Sequence, residues 1–246
     1  MNISDIIVNV IKKTMMKSRR QGGELGMKSI GIIHTTPATI DSITKLVQEI
    51  IPEAGIINVM DDSILKDMNA GYRVDKVRER WLAYAEILEQ RGVSAILSAC
   101  STVGPFVEEA DARLSIPVVR IDDAMCERAA EKSHVGVYAT LKSTLSPTCD
   151  LIKRKAAQHG KEITIDAILL DGAYDSLMRG NREEHDRKIR EAVTERIDKL
   201  DAVVLAQASM ASAISGGIFQ ERQKQKILTS PRSGVTELAN ILKRED

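Results

Sequence analysis

The sequence predicts an α/β fold of two pseudo-symmetric lobes, each a parallel sheet flanked by helices, with a cleft between them. From Lys28 onward, short apolar runs alternate with longer amphipathic runs, a pattern typical of parallel strands joined by helices. The apolar runs are rich in Ile, Val and Leu without strict alternation, as expected of strands covered on both faces. The second half of the chain also repeats the first, which predicts two lobes.

The first half of the chain supplies the elements of the first lobe. Its apolar runs predict strands at SIGII (29–33), GIINVM (55–60), SAILSA (94–99) and IPVVRI (116–121). Its amphipathic runs predict helices over 39–51, 72–90 and about 103–112. Residues 61–71 are polar and contain Gly71, so we expect a loop there. This loop either closes over a substrate or stays a solvated surface segment.

The second half predicts the same succession of elements. Its strands are expected at HVGVYA (134–139), ITIDAILL (163–170), DAVVLA (201–206) and QKILTS (225–230). Its helices are expected over about 143–158, over 181–199 and from about Gly234 onward. The stretch GAYDSLMRGNREEHDRK takes the place of the 61–71 loop and has the same two interpretations.

Landmarks in the two halves match in one order at nearly constant offsets of 105 to 110 residues. The matched pairs are Gly31 with Gly136, Asp61 with Asp171, Cys100 with Gln207, and Val118 with Ile227. Buried strands resemble one another by chance, but the residues after the strands match as well, which favours duplication. We expect lobe 1 over 27–120, completed by 215–246, and lobe 2 over 121–214.

Residues 1–26, MNISDIIVNVIKKTMMKSRRQGGELG, form an N-terminal extension in this division. The extension begins weakly amphipathic and becomes basic and then Gly-rich, without the apolar core and cleavage site of a secretory signal. We interpret it as an addition to the domain because the strand pattern starts only after Met27. A helical arm that packs on a partner subunit is the functional alternative.

The composition argues against several classes of function. The 35 Lys and Arg residues balance the 35 Asp and Glu residues, and aromatic residues make up 3%, so nucleic-acid binding is not expected. No apolar run approaches the roughly 18 residues of a membrane span. Three cysteines without a CxxC pair suit a reducing compartment. We therefore expect a cytoplasmic protein that binds neither nucleic acid nor membranes.

Cys100 is the strongest candidate for chemistry. It ends a predicted strand, and Ser101 and Thr102 follow it into a predicted helix. Small residues let a substrate approach, and the helix N-terminus is expected to lower the pKa of the thiol and favour the thiolate. A buried, inert cysteine is the alternative, and we favour it for Cys126 and Cys149, which lie within predicted helices.

Hydroxyl-rich loops follow the first predicted strand of each lobe. They read HTTPAT (34–39) and ATLKST (139–144). Clustered hydroxyls and free amides at a helix start bind a carboxylate or phosphate well, although Thr39 and Ser143 would serve equally as helix N-caps. The candidate substrate-binding residues are Thr35, Thr36, Ser101, Thr102, Thr140, Ser143, Thr144, Ala208 and Ser209.

Neither a metal nor a nucleotide cofactor is expected. The four histidines, at 34, 134, 159 and 185, are scattered, and no HxxxH or CxxC spacing occurs. Neither loop is Gly-rich enough for a P-loop or a dinucleotide fingerprint, and no Gly-x-Ser-x-Gly elbow is present. His34 in the first loop and Asp61 after the second strand are candidate auxiliary residues, because a cleft forms where parallel strands end.

These motifs resemble the aspartate/glutamate/hydantoin racemase superfamily over roughly residues 28–240. IGIIHTTPAT resembles its first strand and loop, and ATLKST resembles its substrate-carboxylate loop. Cys100-Ser101-Thr102 resembles the Cys-Asn-Thr motif of the first family cysteine. The second family cysteine lies in a motif similar to Gly-Cys-Ala-Gly-Met-Ala. The stretch here reads AQASMA, with Gln207 in the place of that cysteine.

The resemblance implies a cofactor-independent enzyme that acts on a small carboxylate and commonly forms a homodimer or higher homo-oligomer. In the family, one cysteine thiolate removes the α-proton, and the opposite thiol returns a proton to the other face of the enediolate. Gln207 departs from this mechanism, because a neutral amide does not titrate near neutral pH. Gln207 is left to orient or hydrogen-bond a carboxylate, in a catalytic pair with Cys100.

A single thiol leaves three chemistries open. Cys100 protonates an enediolate formed by decarboxylation, adds to a double bond as in maleate isomerases, or works with another base, such as His34 or a water, in an isomerase. We expect an isomerase first and a decarboxylating lyase second. A non-catalytic protein that binds a small carboxylate is the further alternative, because two lobes around a cleft also describe such proteins.

Overall fold

The computed structural model describes residues 28–215 and 217–244. Within these ranges the chain forms eight β-strands, ten α-helices and four short 3₁₀ segments. No helix of the described ranges is both long and apolar enough to cross a membrane. The expected N-terminal extension, 1–26, lies outside the described residues.

The first half of the chain builds the first lobe. Its strands are β1 (Ser29–His34), β2 (Gly55–Met60), β3 (Ala95–Ser98) and β4 (Val118–Arg120). Its helices are α1 (Ile40–Ile50), α2 (Asp62–Ala70), α3 (Val74–Gln90) and α4 (Gly104–Arg113). Short 3₁₀ segments lie at Pro37–Thr39 and Ser101–Val103.

The rest of the chain repeats this pattern. Its strands are β5 (His134–Ala139), β6 (Thr164–Leu169), β7 (Ala202–Leu205) and β8 (Ile227–Thr229). Its helices are α5 (Asp123–Ala130), α6 (Lys142–Gln158), α7 (Ala173–Met178), α8 (Arg182–Arg196), α9 (Glu221–Lys226) and α10 (Ser230–Arg244). Its 3₁₀ segments are Ile197–Lys199 and Ala208–Ile214.

Each lobe contains a four-stranded sheet, and the two sheets have equivalent strand orders. The order is β2-β1-β3-β4 in the first lobe and β6-β5-β7-β8 in the second, and all neighbouring strands are parallel. The register matches as well, since Ile33 lies opposite Ser98 in the first sheet and Tyr138 lies opposite Leu205 in the second. The predicted fold class, two pseudo-symmetric parallel lobes, is confirmed.

The central strands are buried on both faces, which explains why their residues do not alternate between apolar and polar. In the first sheet, Ile30 and Ile32 pack with α1 and α10 on one face. Ile33 and Ile96 pack with Trp81 of α3 on the other face. Burying a side chain of this kind stabilises the fold by about 1.5–3 kcal/mol, so the two-sided core holds the strand ends in fixed positions.

The helix that follows the last strand of each sheet packs against the opposite lobe. Helix α5 follows β4, but its Met125 belongs to the core of the second lobe. Helix α10 follows β8, but its Val235 and Leu238 belong to the core of the first lobe. At Gly234 an added Cβ would lie 2.3 Å from the Ile121 carbonyl oxygen, so α10 reaches this position because that residue is glycine.

Residues after 215 are therefore divided between the lobes. Strand β8 pairs with β7 and belongs to the second sheet, whereas we expected the whole segment 215–246 to complete the first lobe. Helix α10 does pack on the first lobe, and it begins at Ser230, four residues before the expected start at Gly234. Which sheet a short apolar strand joins depends on tertiary pairing, which local sequence does not encode.

Two segments expected as loops are helical. Asp61 caps α2 by accepting a hydrogen bond from the Ser63 amide (3.0 Å), and Gly71 ends the helix at φ 64°. In the second lobe, α7 occupies the first part of the stretch GAYDSLMRGNREEHDRK, whereas α8 begins at Arg182, close to the helix predicted from 181. The polar composition concealed α2 because only Ile64 and Leu65 of this helix are buried.

Candidate active site

A cleft of about 400 Å³, measured to its open mouth, lies between the lobes where the strands end. Residues that follow β1, β2 and β3 form one wall, and residues that follow β5, β6 and β7 form the other. The carboxyl ends of parallel strands are the usual ligand sites of α/β folds. The lining consists of Thr35, Thr36, Thr39, Leu65, Ala99, Cys100, Ser101 and Thr102 from lobe 1 and Thr144, Tyr174, Leu177, Gln207, Ala208 and Ser209 from lobe 2.

Cys100 and Gln207 occupy equivalent positions on the two walls. Each lies two residues after its strand, β3 or β7, and each is the extended N-cap residue of a 3₁₀ segment. Ala99, the residue before Cys100, donates its backbone N–H to the Ile33 carbonyl oxygen at 2.9 Å. Ala206, the residue before Gln207, donates in the same way to Tyr138, also at 2.9 Å. The backbone thus repeats between the lobes at this point, and the difference lies in the side chain that faces the cleft.

Cys100 is half-buried, and burial raises the pKa of its thiol above the ordinary value. Hydrogen bonds from the Thr35 hydroxyl, the Thr102 amide and hydroxyl and the Val103 amide oppose this shift without cancelling it. The expected lowering of the pKa is therefore wrong for the free protein. The N-terminal amides do reach the sulfur, but the loss of hydration outweighs them.

Gln207 is held by the first loop of its own lobe. Its Oε1 accepts hydrogen bonds from the Thr140 amide (2.6 Å) and the Thr140 hydroxyl (2.8 Å). This leaves Nε2, which carries two donor hydrogens, as the end of the side chain that can meet a ligand. An amide held in this way orients an acceptor oxygen, but it exchanges no proton.

Two buried hydroxyls of lobe 1 lack hydrogen-bond partners within the described residues. Thr35 and Thr39 are 2% and 3% exposed. Neither Thr35 Oγ1 nor Thr39 Oγ1 has a partner at hydrogen-bond distance, although the Thr35 hydroxyl lies near enough to Cys100 to favour its thiolate. Thr39 is the N-cap of α1 but makes no capping bond through its side chain, so the N-cap interpretation does not account for its hydroxyl. Unpaired buried donors cost about 1–3 kcal/mol each, which favours a ligand that supplies acceptors.

Other hydroxyls of the cleft join the two lobes. Ser101 Oγ donates to the Ala206 carbonyl oxygen at 2.9 Å, and the Oγ1 atoms of Thr102 and Thr144 lie 2.8 Å apart. Both hydrogen bonds are buried and connect residues of opposite lobes. These contacts hold the walls of the cleft at a fixed separation, which favours a preorganised site.

Two candidate substrate-binding residues lie outside the lining. Thr140 sits behind Gln207 and holds it through the two hydrogen bonds described above. Ser143 donates a hydrogen bond to Oδ1 of Asn69 in the opposite lobe. Ser143 is not a helix N-cap either, because the N-cap of α6 is Leu141.

His34, the first candidate auxiliary residue, does not line the cleft. It is fully buried at the end of β1, where its Nε2 lies 3.0 Å from Oδ1 of Asn58. Burial lowers the pKa of His34, and the hydrogen bond to Asn58 opposes that shift only in part. His34 is therefore a buried residue at the end of β1, and its lowered pKa favours the neutral imidazole.

Asp61, the second candidate auxiliary residue, also lies outside the lining. It caps α2, accepts a hydrogen bond from Tyr84 (3.1 Å) and pairs with Arg80 (3.0 Å). Burial alone would raise the pKa of Asp61, but hydrogen bonds from Ser63 and Tyr84 and the charge of Arg80 lower it. These contacts give Asp61 a structural role in lobe 1.

The remaining cysteines pack away from the cleft. Cys126 in α5 and Cys149 in α6 are both buried, and burial raises the pKa of each thiol. Within the part of the chain that the structure describes, no group of three or more His, Cys, Asp or Glu residues could hold a metal ion.

Three lining residues come from helices that were expected to be loops. Leu65 lies on α2, and Tyr174 and Leu177 lie on α7. Tyr174 and Leu177 are three residues apart, so they share a face of the helix. The sequence signal that would have found them is this i, i+3 spacing, which carries meaning only once the segment is recognised as helical.

The comparisons with known proteins agree with this architecture. The Asp/Glu/Hydantoin racemase family matches residues 30–237. Similar solved structures include an aspartate racemase from Picrophilus torridus, with a TM-score of 0.68 and 15% identity over 88% of this chain and 94% of that one. A glutamate racemase from Francisella tularensis has a TM-score of 0.69 and 18% identity, over 89% and 82%. An allantoin racemase from Klebsiella pneumoniae has a TM-score of 0.61 and 16% identity, over 89% of each chain.

At these identities, the structural likeness supports the fold alone. No curated protein matches the sequence. The family match, in contrast, spans most of the chain and includes both walls of the cleft. The protein therefore belongs to the Asp/Glu/hydantoin racemase family.

Proposed function

We propose that this protein is a cofactor-independent isomerase that acts at the carbon alpha to the carboxylate of a small acid, with Cys100 as an acid–base group. The observation that carries the proposal is the presence of Cys100 in one cleft with the unpartnered buried hydroxyls of Thr35 and Thr39. Proton transfer next to a carboxylate requires an acid–base group beside fixed hydrogen-bond donors. Membership of the racemase family supports an isomerase.

A substrate carboxylate would supply the acceptors that the Thr35 and Thr39 hydroxyls lack. Hydrogen bonds to a charged group contribute about 1.5–3 kcal/mol each. They strengthen as the α-proton leaves, because the enediolate carries more charge on its oxygens than the carboxylate does. The two hydroxyls thus serve both binding and transition-state stabilisation.

Cys100 takes the α-proton as a thiolate. The carbon–hydrogen bond breaks, a sulfur–hydrogen bond forms, and the electron pair moves into the enediolate. With the Thr35 hydroxyl donated to the substrate, the amides of Thr102 and Val103 stabilise the thiolate, although burial keeps the pKa of Cys100 raised. Return of a proton to either face of the enediolate regenerates the acid.

The charge of the lining favours a substrate with a single charged group. Among the described lining residues there is no Asp, Glu, Lys or Arg. A substrate ammonium or a second carboxylate would therefore lose its hydration without gaining a counter-charge. We infer a small acid, or a cyclic amide, whose remaining substituents are uncharged.

A decarboxylating lyase is the second candidate, and two observations favour it. Gln207 is an amide where a second thiol would stand, and burial raises the pKa of Cys100. A neutral thiol on one wall is what a lyase needs to protonate the enediolate that remains when carbon dioxide leaves. In that case Cys100 acts as an acid and no second base is required.

Incubation of the protein with a panel of acids in deuterated water separates these functions. The panel contains lactate and allantoin, which carry at most one charge, aspartate, glutamate and malate, which carry more and should turn over more slowly, and methylmalonate for the lyase. Aspartate, glutamate and allantoin are chosen from the names of the similar structures. Deuterium at the α-carbon without carbon dioxide release supports the isomerase. Carbon dioxide release from methylmalonate supports the lyase.

The matched controls are Cys100→Ala and Cys126→Ala. Cys100→Ala removes the acid–base group and should lower the rate of deuterium exchange, or of carbon dioxide release, by about 10²–10⁴-fold. Cys126→Ala should keep the wild-type rate, because Cys126 is buried and does not line the cleft. If no acid of the panel shows turnover that depends on Cys100, both enzymatic proposals are overturned. A non-catalytic carboxylate-binding protein is then the better account.

A further inference from the structure

A tyrosine on the second wall stands opposite Cys100. Tyr174 and Leu177 project from α7 into the cleft, so lobe 2 contributes Tyr174 and lobe 1 contributes Cys100. Tyr174 is half-buried, and its hydroxyl makes no hydrogen bond to any described residue. Cys100 and Tyr174 are the two titratable side chains among the described lining residues.

We propose that Tyr174 is the second acid–base residue, which donates a proton to the face of the enediolate opposite Cys100. The proposal rests on the isomerase function proposed above. Lobe 2 thereby gains a residue that can donate a proton. Gln207 cannot fill this role, because a neutral amide does not ionise near neutral pH. The missing thiol is thereby replaced by a phenol from a neighbouring element of the same lobe.

The proton balance of inversion closes with these two groups. The Cys100 thiolate removes the α-proton, and the Tyr174 hydroxyl gives its proton to the other face of the same carbon. The enzyme passes from thiolate and phenol to thiol and phenolate. Proton exchange through solvent after product release restores the starting pair, and no oxidant or reductant takes part.

The charges around Tyr174 favour its role as the acid. Burial raises the pKa of Tyr174, and the charge of the Cys100 thiolate raises it further. Asp62 and Asp175 act in the same direction, and Lys66 opposes them. Tyr174 therefore keeps its proton when Cys100 has lost one.

Cys100 is the group of the pair that ionises first. A thiol has an ordinary pKa about 1.5 below that of a phenol. The Cys100 thiolate also receives hydrogen bonds from the Thr102 and Val103 amides, which remain available when a substrate occupies Thr35. Tyr174 has no comparable donor, so a state with a thiolate base and a phenol acid is the reactive one.

The first test measures two rates in Tyr174→Phe, inversion of the α-carbon and exchange of the α-proton with solvent deuterium. The substrate is the panel acid whose α-proton exchange depends on Cys100 and is fastest. Inversion should fall by about 100-fold or more, because general acid catalysis contributes at least this much. Exchange of the α-proton with retention should persist, because Cys100 still removes and returns a proton on its own face. The control is Tyr72→Phe, since Tyr72 is 60% exposed and does not line the cleft. Inversion at the wild-type rate in Tyr174→Phe would overturn the proposal.

The pH profile gives an independent readout. In the wild type, inversion should rise as Cys100 ionises and fall as Tyr174 ionises at higher pH. The alkaline fall should be absent from the residual activity of Tyr174→Phe. A simple structural role for Tyr174 would lower the whole profile and leave its shape unchanged, and that result would count against the proposal.

A third measurement needs no substrate. The chain contains four tyrosines, so labelling their Cζ atoms with ¹³C gives four resonances, and Tyr174→Phe assigns one of them. The pKa of Tyr174 should fall in Cys100→Ala, where no thiolate opposes its ionisation, while that of Tyr84 should stay the same. An unchanged Tyr174 pKa overturns the pairing. If no acid of the panel turns over, the isomerase function fails, and this titration alone decides whether Cys100 and Tyr174 act on one another.

Discussion

The first loops of the two lobes have equivalent hydroxyls, but they use them differently. Thr35 and Thr39 in lobe 1 correspond to Thr140 and Thr144 in lobe 2 at an offset of 105 residues. The lobe 1 hydroxyls are buried without partners when Cys100 is neutral. In lobe 2, Thr140 donates to Gln207, and Thr144 pairs with Thr102 across the cleft.

The residue that faces each loop accounts for this difference. Gln207 carries an acceptor oxygen that reaches Thr140, so the lobe 2 loop becomes part of the scaffold. Cys100 is shorter and offers Thr35 a good acceptor only as a thiolate. The duplicated backbone has thus kept two matching walls, of which one presents free donors and a thiol and the other holds a fixed amide.

Among variants that compare the two walls, the largest expected effect comes from Thr35→Val, with Thr140→Val as its counterpart. Without the Thr35 hydroxyl, the substrate carboxylate loses a hydrogen bond worth about 1.5–3 kcal/mol, so KM should rise roughly 10- to 100-fold. The free energy of unfolding should not fall, because this hydroxyl has no partner in the free protein. Steady-state kinetics and urea unfolding of both variants measure the two quantities.

Thr140→Val should behave in the opposite way. It removes the hydrogen bond from the Thr140 hydroxyl to Gln207 and should lower the free energy of unfolding by about 0.5–1.5 kcal/mol. Its backbone amide still holds Gln207, so KM should change less than in Thr35→Val. Equal effects of the two variants on both stability and KM would contradict the division of labour between the loops.

A smaller effect is expected at Gln207 itself. Gln207→Ala leaves the Thr140 amide and hydroxyl without their acceptor, and the free energy of unfolding should fall by about 1–3 kcal/mol. Gln207→Glu keeps an acceptor oxygen there, so most of this stability should be retained. The carboxylate of Gln207→Glu should nevertheless weaken binding of an anionic substrate through repulsion.

The two Gln207 variants thus separate the structural contribution of the side chain from its contact with the ligand. Urea unfolding reports the first, and KM for the panel acid reports the second. If Gln207→Ala unfolds at the wild-type urea concentration, the two hydrogen bonds to Thr140 contribute nothing to stability. The description of lobe 2 as the more structural wall would then be wrong.

Much of the architecture was predictable because it depends on buried strands. The apolar runs and their repeat indicated two parallel sheets, and they placed Cys100 and Gln207 at the ends of equivalent strands. Helices α2 and α7 were not predicted, because each is short and buries few residues. Tyr174 was missed with α7, since its relation to Cys100 exists only in three dimensions.

The pKa of Cys100 shows a second limit of local reasoning. A position before a helical segment predicted a lowered value, and the amides of Thr102 and Val103 do act in that direction. The opposing burial comes from residues distant in sequence that close over the sulfur. The local sequence shows the amides that lower the pKa of Cys100, but it does not show the burial that raises it. The direction of the net pKa shift was therefore not predictable.

The smallest expected change in the free energy of unfolding comes from the N-cap of the helix that follows the second strand of each lobe. In lobe 1, Asp61 caps α2, whereas α7 of lobe 2 starts at Gly172 in the left-handed region without a side-chain cap. Asp61→Ala should lower the free energy of unfolding by about 1 kcal/mol through loss of the cap. The half-exposed pairing with Arg80 should add little to this value. The matched control is Asn181→Ala, which removes a cap bond of 3.1 Å from α8.

The effect of Asp61→Ala should depend on pH with a defined sign. The pKa of Asp61 is lower in the folded protein than its ordinary value, so its charge stabilises the fold above that ordinary value. This part of the contribution should be complete at pH 7 and should fade only below about pH 4, as pH drops from the ordinary carboxyl value through the folded pKa, and urea unfolding at pH 7, 4 and 3 measures it. Asn181→Ala should show no such dependence, because an amide does not titrate. A loss of activity larger than about twofold in Asp61→Ala would show that Asp61 does more than cap α2. In that case the position of α2 would also affect the cleft, which Leu65 of this helix lines.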